Sequence, residues 1–126
     1  MTTILIVDDQ PDNLYVLERL LKGQGYTVIQ ASTGEDALEV ARSGTPDLML
    51  LDVMMPGMDG FAVARELRAN PSTAAAKILF CTARGGIDAR LLGREAGGDA
   101  YIVKPFVVER LVAQASNMLG VDPLGF

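Results

Sequence analysis

The sequence predicts a three-layer α/β sandwich on a five-stranded parallel sheet, strand order 2-1-3-4-5, with helices on both faces. Three observations predict it. Short, almost wholly apolar runs alternate with segments whose apolar residues recur at helical spacing. The runs are continuous instead of alternating with polar residues, which suits strands covered on both faces. Breaks containing glycine separate most of the elements, at Gly23 and Gly25, from Gly44 to Pro46, at Gly85-Gly86 and at Gly97-Gly98. Strands alternating with helices imply right-handed crossovers, and an open sheet of this size takes that order.

The elements follow in turn. Residues 4–7 (ILIV) form the first strand. Leu14, Leu17 and Leu21 then fall at i, i+3 and i+7, with Glu18, Arg19 and Lys22 on the other side of a helix. Residues 26–29 (YTVI) are more mixed, which an edge strand tolerates. Ala37, Leu38 and Ala41 make the second helical stripe, and Ser32 with Glu35 three residues later reads as its capping box. Residues 48–51 (LMLL) are the third strand. Phe61, Ala64 and Leu67 mark the third helix, with Asp59 as its N-cap. Residues 78–81 (ILFC) are the fourth strand, and Leu91, Leu92 and Ala96 the fourth helical stripe. Residues 101–103 (YIV) are the fifth strand, and Leu111, Ala115 and Met118 or Leu119 line the fifth helix. The domain is predicted to span residues 1–120, and the short tail 121–126, with Pro123 and Gly125, is predicted to fray.

Composition bounds what such a chain can do. Its 126 residues suit one domain, and 49% hydrophobic residues are too many for a disordered segment. Sixteen acids against 11 bases give a net charge of −5 with no basic block, which argues against binding nucleic acid through bulk charge. No apolar run approaches the length of a membrane span, and the N-terminus lacks the pattern of a signal peptide. The lone Cys81 cannot form an internal disulfide, so the cytoplasm is the predicted compartment. Histidine is absent.

In an open parallel sheet all C-terminal strand ends share one rim, and functional sites lie there. Asp8-Asp9 follow the first strand, Asp52 the third, Thr82-Ala83 the fourth and Lys104-Pro105 the fifth. Three carboxylates, a hydroxyl and an amine should therefore converge. At roughly 5 Å and an effective dielectric of about 20, each carboxylate pair costs about 3 kcal/mol, so protonation or a cation must offset the repulsion. Carboxylates and main-chain carbonyls, without histidine, suit a hard ion, Mg2+ above all. An acidic pocket holding Mg2+ and a lysine suits reception of a phosphoryl group. Taken singly, each residue has an ordinary explanation. Asp8-Asp9 would cap a helix beside Pro11, and Asp52 would belong to a turn before Pro56-Gly57. Thr82 would be a strand former, Lys104 a solvated lysine and Tyr101 core. Cys81, Met54, Met55 and Met58 read as packing residues. The coincidence of five such features at one rim favours a site.

The paired acids, the single Asp52 followed by "MMPGMDG", the "TA" at 82–83 and the "KPF" at 104–106, in this order, resemble the receiver domain of two-component response regulators, from Thr3 to about Leu119. The resemblance implies a flavodoxin-like sandwich and a phosphoacceptor signalling domain, not an enzyme, that assists its own phosphorylation and dephosphorylation. It implies that Asp52 takes a phosphoryl group from a histidine kinase or histidine phosphotransfer protein. Asp9, Asp52 and the Met54 carbonyl would bind Mg2+, with Asp8 acting through a water. Lys104, joined to Pro105 by a cis bond, would contact the phosphoryl group. Thr82 would turn its hydroxyl onto it, and Tyr101 would swing inward in response. A surface of the fourth helix, fifth strand and fifth helix, around Arg90, Arg94, Tyr101 and Glu109, would control a downstream protein target or fused output domain. Contact with nucleic acid or membrane by this chain itself is not expected. Without histidine, the chain cannot supply its own phosphohistidine.

Two features depart from the commonest pattern of that family. Gly97-Gly98 stands in place of Gly-Ala, which is expected to loosen the approach to the fifth strand. Met54 and Arg84 flank the route of attacking water, and an apolar Met54 predicts a longer-lived phosphate. Two other classes fit less well. A phosphohydrolase of the dehalogenase type needs its second aspartate two positions after the first, where Gln10 stands. A flavin carrier needs a loop that cradles phosphate, and "DDQPDN" would repel one.

Overall fold

The computed structural model describes residues 2–120; the segment 121–126, predicted to fray, lies outside the described residues. Five strands, β1 (Thr3–Val7), β2 (Thr27–Ala31), β3 (Leu48–Leu51), β4 (Lys77–Thr82) and β5 (Ala100–Val103), alternate with five helices. These are α1 (Pro11–Gly23), α2 (Gly34–Ser43), α3 (Gly60–Ala69), α4 (Ile87–Glu95) and α5 (Val108–Met118). The strands are all parallel, in the order β2-β1-β3-β4-β5. Among the described residues no helix is long and apolar enough to cross a membrane.

Strand side chains alternate between the faces, and each set meets its own helices. Ile4, Ile6, Leu48, Leu50, Leu79 and Cys81 pack with residues of α1 and α5. Leu5, Val7, Met49, Leu51, Ile78 and Phe80 pack with residues of α2, α3 and the end of α4. Both faces are thus dry, which is why the strand segments read as unbroken apolar runs. β2, the mixed strand, lies at the sheet edge and is mostly half-buried.

Three local expectations are revised. Thr33, not Ser32, caps α2: its hydroxyl accepts from the Asp36 amide at 3.1 Å, so the cap lies one residue further on. (Asp59 does cap α3, accepting from the Ala62 amide at 2.8 Å.) α4 turns Ala89 and Gly93 inward, whereas Leu91 is 52% exposed. The cause is volume already filled by aromatic rings. A Cβ at Gly93 would lie 3.1 Å from Tyr101 and 3.2 Å from Phe80, so small residues of the helix face the sheet. Gly98 does not loosen the entry to β5 either, because the Phe80 ring occupies the space a Cβ would need, 2.3 Å from it.

Candidate functional site

Strand register assembles the site. Val7 pairs with Leu51, and the Asp52 amide donates to the Val7 carbonyl at 3.0 Å. The residues just beyond, Asp8 and Asp52, therefore leave neighbouring strands side by side. Thr82 pairs with Val103, and the Lys104 amide donates to the Thr82 carbonyl at 2.8 Å, which carries the lysine to the same rim. Oxygens of Asp8, Asp9 and Asp52 all lie within 4.8 Å of one another.

The three carboxylates differ in what holds them. Asp8 is 2% exposed and held by three donors: Oδ1 accepts from the Gln10 amide at 2.9 Å, and Oδ2 from Lys104 Nζ at 2.7 Å and Asn13 Nδ2 at 3.1 Å. Asp52 is 8% exposed; the Met54 amide donates to Oδ1 at 3.0 Å, and Lys104 Nζ stands 3.6 Å from Oδ2. Asp9 is half-buried. Asp9, Asp52, Gln10, Asn13, Met54, Ala83 and Lys104 line a cavity of about 310 Å³. A more open groove, lined by Asp9, Met54, Asp59 and Arg84 among others, shares Asp9 and the exposed Met54 with it.

Lys104 is the electrostatic counterweight. Its burial disfavours the ammonium and is the largest single influence. The hydrogen bond to Asp8 and the charges of Asp52 and Asp8 together outweigh it, so the pKa lies above the ordinary 10.5. The side chain is therefore a cation throughout the neutral range, and the bond from Lys104 to Pro105 is cis.

Thr82 and Tyr101 meet at Arg84. Thr82 ends β4, fully buried, and its hydroxyl accepts from the Arg84 amide at 3.3 Å. The Tyr101 hydroxyl donates to the Arg84 carbonyl at 2.5 Å, and the Arg90 guanidinium lies 5.4 Å over the Tyr101 ring. The Arg84 guanidinium in turn sits 5.4 Å over the Phe61 ring.

The predicted residues are thus brought together: Asp8, Asp9, Asp52 and Lys104 in one cluster, with Thr82 at the end of the adjoining strand and Tyr101 linked to it through Arg84. The donor set fits a hard divalent cation. It is carboxylate oxygen throughout, and the one thiol, Cys81, is buried on β4 and is not among the converging ligand atoms. Sequence reasoning missed Asn13, Gln10 and Gly60 as parts of the site. Pro11 at the start of α1 was the available signal for Asn13, because a residue in the first turn directs its side chain back toward the helix N-terminus. Gly60 carried no such signal; its role arises from a through-space contact with Asp52.

Known proteins share this arrangement. Residues 4–116 match the family described as the response regulator receiver domain. The chain is 43% identical over 116 residues to response regulator MprA of Mycobacterium ulcerans, which covers 92% of this chain and 49% of that protein. It is 42% identical, with the same coverage, to transcriptional regulatory protein PrrA of Mycobacterium tuberculosis. The chain thus spans about half the length of the curated relatives it matches. Among solved structures, chemotaxis protein CheY4 of Vibrio cholerae superimposes with a TM-score of 0.89 at 29% identity, covering 94% of this chain and 98% of that one. The receiver domain of sensor histidine kinase PA1611 of Pseudomonas aeruginosa, solved with a magnesium ion in its active-site cleft, gives 0.87 at 31% identity with the same coverage. Fold, rim chemistry and sequence agree, and the chain belongs to the response regulator receiver domain family, the phosphoacceptor signalling domains of two-component systems.

Proposed function

We propose that Asp52 is the phosphoacceptor, charged by a phosphohistidine of a histidine kinase or histidine phosphotransfer protein. One observation carries the assignment. Of the three carboxylates, Asp52 alone combines an oxygen fixed by the Met54 amide, a second oxygen 3.6 Å from the Lys104 ammonium, and a place on the cavity wall. An Asp52 oxygen attacks the phosphorus in line. The O–P bond forms as the P–N bond to the donor imidazole breaks, and the leaving imidazole takes a proton from solvent. Asp9, Asp52 and the Met54 carbonyl would hold Mg2+, with Asp8 acting through a water; the ion supplies positive charge beside the phosphoryl oxygens. Lys104 supplies a second cation from the chain itself. The same residues assist hydrolysis of the aspartyl phosphate when water enters in place of the donor.

Thr82 reports the modification. A charge-assisted hydrogen bond from its hydroxyl to the phosphate contributes roughly 1.5–3 kcal/mol. Formed in one conformer only, it shifts the population by about ten- to somewhat over a hundredfold. The hydroxyl accepts from the Arg84 amide and keeps its own hydrogen free to donate, so turning it toward the phosphate shifts its bond to Arg84, and Tyr101, bonded to the Arg84 carbonyl, responds through that shared residue. The readout face is α4, β5 and α5 around Arg90, Arg94, Tyr101 and Glu109. Donor proteins approach over the apolar cleft beside Lys104, where Val16, Phe106 and Val108 line about 340 Å³. Output runs through a downstream partner or an output domain. We assign nucleic-acid contact to that output and not to residues 1–120, because the chain carries −5 and no basic block. The domain works in the cytoplasm, where histidine kinases present their phosphohistidine.

The test is labelling by acetyl phosphate with Mg2+. Wild-type chain should acquire an acid-stable, hydroxylamine-labile phosphate, and Asp52→Asn should acquire none. Undiminished labelling of that variant refutes the assignment.

A further inference from the structure

We infer that Asn13 is a positioning residue for phosphoryl transfer: its amide keeps Asp8 Oδ2 hydrogen-bonded while Lys104 moves from Asp8 to the phosphoryl group on Asp52. The inference rests on the Asp52 assignment above.

The distances state the problem. Lys104 Nζ lies 2.7 Å from Asp8 Oδ2 and 3.6 Å from Asp52 Oδ2, so in this state the ammonium is bonded to Asp8 and only near the acceptor. To contact phosphoryl oxygens it must loosen that bond. Asp8 is 2% exposed, so bulk water, as distinct from the single water assigned to it beside the metal, cannot freely replace a departing donor. An unpaired buried carboxylate oxygen is costly, and the cost would fall on the transfer step. Asn13 Nδ2 already donates to that same oxygen at 3.1 Å, so Asp8 retains a partner on Oδ2 as well as the Gln10 amide on Oδ1.

The residue type suits this task. An amide donates without charge, so it neither adds a fourth carboxylate to the cluster nor brings a second cation that would draw Asp8 away from Lys104. Its place is set by the fold: Pro11 starts α1, and Asn13 in the first turn reaches back over the rim, half-buried on the cavity wall. An apolar residue there would leave Lys104 as the sole donor to Asp8 Oδ2 and bind the ammonium more firmly in the wrong place.

The experiment compares wild type, Asn13→Ala and the near-isosteric Asn13→Leu, each with Lys104 and with Lys104→Ala. Three quantities are read: the labelling rate with acetyl phosphate at saturating Mg2+, Mg2+ affinity by calorimetry, and the urea midpoint. With Lys104 present, both Asn13 variants should label about tenfold more slowly, the loss of one charge-assisted hydrogen bond. Mg2+ affinity and the urea midpoint should hold, and in the Lys104→Ala background the Asn13 effect should shrink to less than about twofold, as a double-mutant cycle requires for coupled residues. Unchanged labelling, equal slowing in both backgrounds, slowing matched by lost Mg2+ affinity, or failure of both variants to fold each overturns the inference. Wild type that takes no label, or Asp52→Asn labelled as well as wild type, overturns the Asp52 assignment and this inference with it.

Discussion

The Cα of Gly60 stands so close to the carbonyl of Asp52 that a methyl group added there would come within 2.3 Å of that oxygen. Gly60 opens α3, and its amide donates to the Val53 carbonyl at 3.0 Å, so the helix begins directly against the backbone that presents Asp52. A glycine-to-alanine change in a helix ordinarily stabilises by about 0.5–1 kcal/mol. Here the sign reverses. Gly60→Ala should destabilise by about 1–3 kcal/mol, the range for overpacking, and slow labelling of Asp52. Urea denaturation decides it, and a raised midpoint would refute the close approach.

Thr82 bonds to the chain only through the Arg84 amide among its described side-chain contacts, at a long 3.3 Å. Thr82→Ala should therefore accept phosphate at nearly the wild-type rate yet lose the response of Tyr101 and of the α4–β5 surface. Thr82→Ser, which keeps the hydroxyl, should retain part of it. Tyrosine resonances recorded with and without a phosphoryl mimic measure the coupling; an unchanged Tyr101 response in Thr82→Ala would count against the relay.

Met54 is 59% exposed and offers no hydrogen bond to a water approaching Asp52 across the cavity it lines with Asp9 and Ala83. Met54→Asn should accelerate loss of label by several-fold, on the order of what one added hydrogen bond of about 1 kcal/mol supplies. Following decay after removal of the phosphodonor checks this, and an unaltered half-life would exclude Met54 from control of the phosphate's lifetime.

Cys81 is buried on β4, and burial, its largest influence, pushes the thiol from 9.0 up to about 12. A disulfide reagent at pH 8 should react only as fast as the sheet opens. The folded pKa is raised, so the contribution to stability is complete below 9.0 and is lost as pH climbs from there through about 12. Lys104, also raised, adds a loss beginning above 10.5. Cys81→Ala should flatten the first part of the alkaline decline in urea midpoint, and a decline identical to wild type would show that the thiol is not responsible.

Local chemistry made much of this molecule readable in advance. The runs at 4–7, 48–51 and 78–81 are apolar throughout because each strand is covered twice, and Leu14, Leu17 and Leu21 fall on the buried side of α1. Asp8, Asp52 and Lys104 were legible as rim residues because each directly follows such a run, and Asp9 because it follows Asp8. Of the α4 stripe, Leu92 and Ala96 do pack on the core and only Leu91 turns outward, because the inward face is chosen by Phe80 and Tyr101, two rings outside the helix, and no pattern inside residues 87–95 records them. The cap of α2 was misplaced by one residue because Ser32 and Thr33 are chemically equivalent candidates, and only the backbone path selects between them.

The sequence by itself determined the element order, the parallel sheet, and which polar residues end the strands, because those depend on side chains a few positions apart. Tertiary structure alone decided that Lys104 rests on Asp8 and not on Asp52, that Asn13 shares the same oxygen, that Thr82 and Tyr101 both hold Arg84, and that α3 must begin with a glycine. Those relationships are contacts of a few ångströms between residues distant in the chain. They exist only once strand register and helix docking have fixed the rim, and no local preference encodes them.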